Sequence, residues 1–249
     1  MHEIWDEEFH KTRKTLLRGR IDDLQFGEIS KQWLQKSVDH KYSYQFDWLG
    51  VPIIQMPADL LVFQDIVFKT QPDLIIETGV ARGGSLIFWA SMQILCGIEG
   101  KVLGIDIDIR SHSERAISSS RFSESIQLIR GSSTDLDIFS QVRSLASNYK
   151  KVMVVLDSNH THDHVLKELE LYADLVSAEC FLLVLDTVID DLKVDSERPW
   201  GPGASPKSAV TEYMQKHPNQ FHNAVNFEQA ALLSVAPLGF WIKSKTAKE

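Results

Sequence analysis

The sequence contains few cysteines and no long apolar run, and both absences restrict the class of protein. Only two of its 249 residues are cysteines, Cys96 and Cys180, and each lies inside an apolar stretch. Two buried free thiols are typical of a reducing compartment, so we expect a cytoplasmic protein without disulfides. The opening MHEIWDEEFHKTRK lacks the apolar core of a signal peptide. No apolar run reaches the roughly 18 residues of a membrane-spanning helix, so we expect no membrane partner.

The chain also has fewer basic than acidic residues. The chain has 34 acidic and 26 basic residues, which gives a formal net charge of −8. Basic residues near the N-terminus are interleaved with acidic ones, a pattern typical of a solvated helix face. Since binding to nucleic acid depends largely on clustered lysine and arginine, we expect no nucleic-acid partner.

Apolar runs alternate with helical segments from residue 73 onward. The runs are DLIIET, KVLGIDID, SIQLIRG, KVMVVLDS and CFLLVLDT. Strands that are apolar throughout and separated by helices indicate a parallel sheet covered on both faces. FHNAVNF, ALLSVAP and GFWIKS are predicted to be closing strands, the last two forming a hairpin around Pro237 to Gly239. The predicted fold is α/β, a doubly wound, mostly parallel seven-stranded sheet.

The chain is predicted to divide into an N-terminal extension and one large domain. Residues 1–47 have no strong period and should form a helical extension or lid, with one helix over Glu28 to Val38. Residues 48–249 form the main domain. Its segment SLIFWASMQILCG is apolar on all sides, which indicates a helix in the core or at a subunit contact, so we expect a homo-oligomer. Residues 187–206 are rich in proline and glycine and predict a long irregular loop with a functional role.

The stretch LIIETGVARGGS places an acid and three glycines at the end of the first strand of this alternating region. In doubly wound folds, ligands bind at the carboxyl ends of the strands, and glycine lets the backbone turn tightly and approach a ligand. Asp106 ends the second strand, where its carboxylate can accept hydrogen bonds from a ribose diol. Asp135 follows the third strand and is placed for an adenine edge, with Ser132 and Ser133 beside it. A nucleotide-type cofactor is therefore expected at this edge.

Two cofactors are compatible with such a turn. A dinucleotide site favours G-x-G-x-x-G and a helix N-terminus without a nearby acid, because pyrophosphate is anionic. Here the pattern is E-x-G-x-x-x-G-G, beginning at Glu77. Glu77 would repel a phosphate but would suit the ammonium of a methionine moiety, which favours S-adenosylmethionine over NAD. A Tyr-x-x-x-Lys pair near the fourth or fifth strand would support an NAD-linked oxidoreductase, and we find none.

A second group of polar residues follows the fourth and fifth strands. LDSNHTHDH contains Asp157 and His160, and LDT ends in Asp186. If the two strands lie near each other, both carboxylates emerge at one edge and can hold Mg²⁺, while a histidine suits removal of a hydroxyl proton. HTHDH also resembles the H-x-H-x-D-H of binuclear metallo-hydrolases, but it is one residue short and the strand–helix alternation argues against that fold. His162 and His164 are expected on the exposed first turn of the next helix.

With these motifs, the chain resembles the cephalosporin hydroxylase family, a methyltransferase-type Rossmann fold similar to macrolide-sugar and rhamnosyl O-methyltransferases. The matching motifs are WLGVPIIQ, PDLIIETGVARGGSLIFWAS, VLGIDIDIR, GSSTD, VLDSNHTHDHVLKELELYADLVS and RPWGPGASPKSAV. The resemblance implies a divalent metal held by Asp157 and the end of the fifth strand, with His160 as the candidate base. It also implies S-adenosylmethionine around Glu77, Gly79, Ser85, Asp106 and Ser133. Further candidates for the cofactor site are Arg82, Gly83 and Asp135.

One position departs from the family pattern. The family has an acidic pair at the end of the fifth strand, whereas this chain has Leu185 followed by Asp186. Three possibilities follow: Asp157 and Asp186 bind Mg²⁺ with an extra water, or Asp190 or Asp191 substitutes, or the metal is lost.

The leading hypothesis is an S-adenosylmethionine-dependent O-methyltransferase acting on a hydroxyl of a sugar or a glycosylated small molecule. His160 would deprotonate the acceptor, and Asp157 and Asp186 would hold Mg²⁺. Trp200 offers an apolar face for a sugar ring, or else anchors its loop. The alternatives are an NAD-linked oxidoreductase on a Rossmann fold and a non-catalytic cofactor-binding homologue.

Overall fold

The computed structural model describes residues 7–193 and 199–245. The α-helices are α1 Glu7–Asp22, α2 Leu24–Asp39, α3 Pro57–Thr70, α4 Gly84–Leu95, α5 Ser111–Ser118, α6 Leu136–Ala146, α7 His162–Tyr172, α8 Pro206–Lys216 and α9 Val225–Ala231. The strands are β1 Phe46–Trp48, β2 Val51–Ile53, β3 Leu74–Thr78, β4 Lys101–Asp106, β5 Ile126–Arg130, β6 Val152–Leu156, β7 Phe181–Val184, β8 Phe221–Asn223 and β9 Phe240–Lys243. Short 3-10 helices lie at Tyr42–Tyr44, Ser123–Ser125, Ala173–Leu175 and Thr187–Asp191.

A seven-stranded sheet forms the centre of the described structure, in the order β5-β4-β3-β6-β7-β9-β8. The pairs from β5 to β7 are parallel, and β9 runs antiparallel to both of its neighbours. The strand order reverses between β3 and β6, which is where doubly wound sheets bind their ligands. The predicted fold class is therefore confirmed.

The sheet is covered by helices on both faces because its central strands have two apolar sides. Every residue of β3, β6 and β7 is buried. Helices α3 and α4 pack against one face, and α6, α7 and α8 pack against the other. Helix α4 is buried along most of its length, and Ile94 and Leu95 at its end are exposed. The predicted core helix is thus correct, and burial within the described chain accounts for most of its apolar surface.

The prediction for the C-terminal segment is partly wrong. FHN forms β8, but VNFEQAA forms helix α9, and residues 232–239 form turns instead of a strand. No hairpin forms around Pro237, because β9 pairs with β7 and β8 instead of with the residues just before it. The Asp59 carboxylate accepts a hydrogen bond from Val235 N at 2.9 Å, and Ala236 is fully buried. Ala231 and Ala236 of ALLSVAP therefore lie in the apolar cluster without strand pairing, whereas Leu232 is exposed.

The predicted irregular loop begins with regular structure, since Thr187–Asp191 is a 3-10 helix. Residues 194–198 of that loop lie outside the described residues, and α8 begins after Ser205, whose side chain caps the helix. At the N-terminus, α2 includes the predicted helix. Strand β1 spans the expected boundary at residue 47 and pairs with β2, and the division into extension and domain stays a prediction. Among the described helices none is long and apolar enough to cross a bilayer.

Both cysteines are free, with Cys180 buried and Cys96 half-buried. Burial raises the pKa of the Cys180 thiol to about 11, so this group is an unreactive core side chain.

Candidate active site

The loops that follow β3 and β6 meet in backbone contact at the carboxyl edge of the sheet. Gly79 has φ of +95°, and a Cβ atom at this position would lie 2.1 Å from the carbonyl oxygen of Asp157. Its amide donates to the carbonyl oxygen of Ile105 at 2.8 Å, which ties the turn to β4 as well. Only glycine satisfies both the backbone angle and the close approach. The glycine-rich turn therefore lies directly beside the loop that carries Asp157.

Asp106 holds the glycine-rich turn through its carboxylate. Oδ2 accepts from Val80 N at 2.8 Å and from Ala81 N at 3.4 Å, and Oδ1 accepts from Asp108 N at 2.9 Å. Three of the roughly four acceptor positions of this carboxylate are therefore used within the protein. Asp106 is partly exposed at the sheet edge, and its contact with a ribose stays a prediction.

Glu77 lies beneath the turn instead of on its surface. Its side chain is 1% exposed and accepts hydrogen bonds from Ser85 Oγ and Trp89 Nε1. Burial raises the pKa of Glu77 to about 7, although the bonds from Ser85 and Trp89 oppose this shift. The structure thus brings Glu77 and Ser85 together, and both hydrogen bonds tie Glu77 to α4. A contact between Glu77 and a ligand ammonium stays a prediction.

The other candidate cofactor residues surround the same edge. Gly83, with φ of +87°, precedes the first residue of α4. Arg82 is exposed, and its Nη1 lies 2.9 Å from His112 Nε2. Ser133 is buried beside α7, whereas the carboxylate of Asp135 caps α6 by accepting from two backbone amides. Ser133 therefore lies near the loop after β6, and Asp135 has a structural partner of its own.

Asp157, His160 and Asp186 form a compact group at the ends of β6 and β7. These strands are neighbours, as the sequence hypothesis required. His160 Nε2 lies 3.0 Å from Asp186 Oδ2 and 4.0 Å from Asp157 Oδ1. Potential ligand atoms of the three residues all lie within 4.8 Å of one another.

The charge around Asp157 fits a cation. Desolvation first, and then the nearby carboxylates of Asp186, Glu77 and Glu168, raise the pKa of Asp157 well above its usual range. Within residues 7–193 and 199–245 no lysine or arginine is paired with Asp157 or Asp186, and a bound divalent ion would relieve the repulsion among these acids.

The acids proposed to replace the missing carboxylate have other partners. Asp190 Oδ1 accepts from Gly203 N at 3.0 Å, and Asp191 binds Lys207 Nζ through both oxygens at 2.8 Å. Leu185 is 2% exposed and belongs to the apolar cluster under α3 and α4. The group therefore offers two carboxylates and one imidazole.

Gln55 is a residue of this site that the sequence reasoning missed. It is 4% exposed, and its Nε2 donates to Asp157 Oδ2 at 3.2 Å. Its Oε1 is buried without a hydrogen-bond partner among the described residues. The sequence signal that could have identified Gln55 is its position. It is a polar residue directly after the apolar run VPII, within the motif WLGVPIIQ that matches the family. Gln55 orients Asp157 from the opposite side to His160.

The expectation for His162 and His164 is correct in position and wrong in exposure. Both lie in the first turn of α7, but each side chain is only 23% exposed. His162 lies 2.8 Å from Ser208 Oγ and 3.2 Å from Glu212 Oε2, both on α8. His164 Nε2 lies 3.1 Å from Ser133 Oγ and also 3.1 Å from Ser158 Oγ. Both histidines turn inward because polar partners on neighbouring elements hold them.

Comparisons with known proteins agree with this architecture. The family described as "Rhamnosyl O-methyltransferase/CmcI" matches residues 40–244. A rhamnosyl O-methyltransferase of Mycobacterium tuberculosis is 31% identical over 212 residues, covering 82% of this chain and 83% of that protein.

Solved structures show the same fold at lower identity. CmcI in its apo form aligns with a TM-score of 0.61 at 20% identity, covering 82% of this chain and 78% of that chain. The MycE methyltransferase from the mycinamycin biosynthetic pathway, in complex with Mg, SAH and mycinamycin VI, aligns with a TM-score of 0.52 at 18% identity, covering 85% of this chain and 54% of that chain. The sequence match, which spans most of the chain, confirms the resemblance found in its motifs, and the chain belongs to the rhamnosyl O-methyltransferase/CmcI family.

Proposed function

We propose that this protein transfers a methyl group from S-adenosylmethionine to a hydroxyl of a saccharide or glycoside. Family membership confirms the predicted methyltransferase class. The acceptor class is supported by the rhamnosyl O-methyltransferases and by MycE, which was solved with Mg, SAH and mycinamycin VI. The observation that carries the proposal is the group of Asp157, His160 and Asp186 beside the glycine-rich turn. Nothing in the described site or in the family favours the NAD-linked alternative.

The cofactor would occupy the edge formed by the loops after β3, β4 and β5. Asp106 would accept hydrogen bonds from the ribose hydroxyls, and Ser133 would lie at the adenine end. A cation beside the turn would favour the ionised form of the buried Glu77 and a diphosphate would oppose it, so a cationic amino-acid moiety suits this turn better than a diphosphate does. Gly79 keeps the backbone close enough for a bound ligand to contact both the β3 loop and the β6 loop.

Asp157 and Asp186 would hold Mg²⁺, and a CmcI structure that contains Mg and SAM supports a metal of this kind. S-adenosylmethionine would supply an electrophilic methyl group, and Mg²⁺ would lower the pKa of the acceptor hydroxyl. Gln55 keeps one oxygen of Asp157 engaged, so the other oxygen faces His160. With two carboxylates available, water would complete the coordination.

His160 would take the proton from the acceptor hydroxyl. His160 Nε2 lies 3.0 Å from Asp186 Oδ2, so with the Nε2 proton facing this carboxylate, Nδ1 would be the atom that receives the proton. Asp186 also stabilises the imidazolium that results, as a carboxylate does in other His–Asp pairs. The Trp200 ring contacts His160 edge-on with centroids 5.3 Å apart, which provides an apolar wall for a sugar ring.

The test combines product analysis with separate measurements of metal binding. The protein is incubated with S-adenosylmethionine and a panel of glycosides, and mass spectrometry detects methylated products. His160→Ala should lower kcat by about 100-fold or more, while the affinity for Mn²⁺ in a metal titration stays within about threefold. Asp157→Asn should weaken Mn²⁺ binding, with or without an acceptor present.

Other outcomes assign the residues differently. If His160→Ala weakens Mn²⁺ binding as much as Asp157→Asn does, His160 is a ligand and not the base. If the wild-type protein binds S-adenosylmethionine and methylates no glycoside, the chain is a non-catalytic homologue.

We also propose that the protein is a homo-oligomer. Support comes from the N-terminal helices, since α1 buries none of its described side chains and α1 and α2 expose apolar residues. Leu16 is 68% exposed and Leu24 is 83% exposed. Because most helical stability in proteins comes from packing of an apolar face, a further packing partner would stabilise these helices.

A further inference from the structure

Three polar side chains on α7 point inward at helical spacing. His164, Glu168 and Tyr172 follow one another at intervals of four residues, so they form one face of the helix. That face packs against the sheet within an otherwise apolar cluster. Glu168 is 0% exposed, and Tyr172 is also 0% exposed. A polar stripe in this position needs partners, and it finds them in two loops of the candidate active site.

The first loop is the turn after β5 that carries Ser133. Tyr172 Oη donates to the carbonyl oxygen of Ser133 at 2.8 Å. His164 Nε2 lies 3.1 Å from Ser133 Oγ. The main chain and the hydroxyl of Ser133 are therefore both held by α7.

The second loop is the one after β6 that begins with Asp157. Ser158 Oγ donates to Glu168 Oε1 at 2.7 Å. Because the hydroxyl proton of Ser158 is directed to Glu168, its oxygen can accept from His164 Nε2, which lies 3.1 Å away. His164 and Glu168 also approach each other to 3.5 Å. The same pair of residues thus contacts both loops.

Burial of the Glu168 side chain costs desolvation free energy, so its place in the core needs an explanation. Its Oε2 atom is buried with no hydrogen-bond partner among the described residues. An apolar side chain at this position would avoid the desolvation of a carboxylate and would match the surrounding cluster. Packing alone therefore does not explain Glu168, whereas fixing the orientation of Ser158 and His164 does.

We propose that His164 and Glu168 are positioning residues that hold the Ser133 turn and the Asp157 loop in the arrangement that binds S-adenosylmethionine. This inference rests on the proposed function, because it assigns the Ser133 turn to the cofactor site. The two loops lie on strands separated by β4 and β3 in the sheet, so backbone pairing does not connect them directly. The side chains of α7 make that connection and pre-organise the site before the ligand arrives.

The experiment compares His164→Ala with a matched control, His162→Ala. The two histidines lie in the same turn, have the same 23% exposure and each approaches a carboxylate, but His162 contacts α8 instead of the candidate site. Isothermal titration with S-adenosylhomocysteine should show binding about fivefold or more weaker in His164→Ala and within about twofold of wild type in His162→Ala. In kinetic assays, the KM for S-adenosylmethionine should rise in His164→Ala while kcat at saturation changes little.

Tyr172→Phe provides a second variant that keeps the ring in the core and removes only the hydrogen bond to Ser133. It should weaken S-adenosylhomocysteine binding by about two- to fivefold with a kcat close to wild type. The inference is overturned if both variants bind like wild type, or if His162→Ala weakens binding as much as His164→Ala does. If the wild-type protein itself does not bind S-adenosylhomocysteine, the proposed function fails, and this inference fails with it.

Discussion

Asp59 and Glu77 are carboxylic acids that the fold removes from water. Asp59 is 0% exposed, and its Oδ2 accepts from Val235 N at 2.9 Å, while Oδ1 has no partner within the described structure. Burial raises the pKa of Asp59 from 3.8 to about 7, and Asp186 adds to this shift. The pKa of Glu77 rises to about 7 for the same principal reason. Both acids are therefore protonated in the folded state under conditions where the unfolded chain is ionised.

Stability should consequently fall as the pH rises between the ordinary pKa of these acids and about 7. In that window the folded state holds more protons than the unfolded state, so each group lowers the free energy of unfolding by about 1.4 kcal/mol per pH unit. Asp59→Asn should remove one such contribution and give a flatter profile in urea denaturation series between pH 4.5 and 7. Asp65→Asn, on the exposed face of the same helix, should leave the slope unchanged. Parallel profiles for Asp59→Asn and wild type would contradict the assignment.

At the residue scale, local sequence context identified some of the candidate site. Asp157, His160 and Asp186 were predictable because they directly follow strands whose carboxyl ends meet. Gln55 was not, since it contacts Asp157 across 102 positions of the chain. The burial of Glu77 was also not predictable, because it depends on Trp89, whose apolar context indicated only packing. Both features depend on contacts between separate segments of the chain. Such contacts leave no local pattern in a single sequence.

At the element scale, the contact between the β3 and β6 loops depends on one glycine. Gly79→Ala would place a methyl group against the carbonyl oxygen of Asp157, at a φ of +95° that L residues avoid. This carbonyl oxygen belongs to the backbone and cannot move aside as a flexible side chain can. We therefore expect Gly79→Ala to lower the free energy of unfolding by more than about 3 kcal/mol. Gly50→Ala is the matched control, because Gly50 has φ of +82° but open space around its Cβ position. Its loss should be about 1–2 kcal/mol, measured in the same urea titrations. Equal losses would show that strain, and not the close approach, is what matters at Gly79.

The elements themselves were predictable where burial is complete. Strands β3, β6 and β7 are apolar throughout because helices cover both faces of the sheet, and this pattern is visible in the sequence. The segment ALLSVAP is equally apolar, yet it forms turns, because its amides and side chains meet Asp59 and the core instead of a neighbouring strand. An apolar run therefore predicts that a segment is buried. Whether the segment forms a strand depends on a neighbouring strand with which its backbone can pair.

At the scale of the whole molecule, the exposed apolar side chains of the N-terminal helices should control association. Leu16→Glu combined with Leu24→Glu should convert the proposed oligomer to a monomer, because both side chains are solvent-exposed in the isolated chain and charge would oppose their burial between subunits. Sedimentation velocity measures the change, and binding of S-adenosylhomocysteine reports whether each subunit remains folded. Leu61→Glu, on α3 and 72% exposed, is the control outside the N-terminal helices. A wild-type protein that sediments as a monomer would contradict the proposal.

Strand β9 lies between β7 and β8 in the sheet, although it follows both along the chain. During synthesis on the ribosome, β8 therefore emerges before the strand that links it to the rest of the sheet. The edge of β7, with its fully apolar residues, stays open until Phe240–Lys243 has left the exit tunnel. The edge of β7 is thus closed only after β8 has been made, and a nascent chain that lacks β9 exposes an unpaired apolar strand, which favours aggregation.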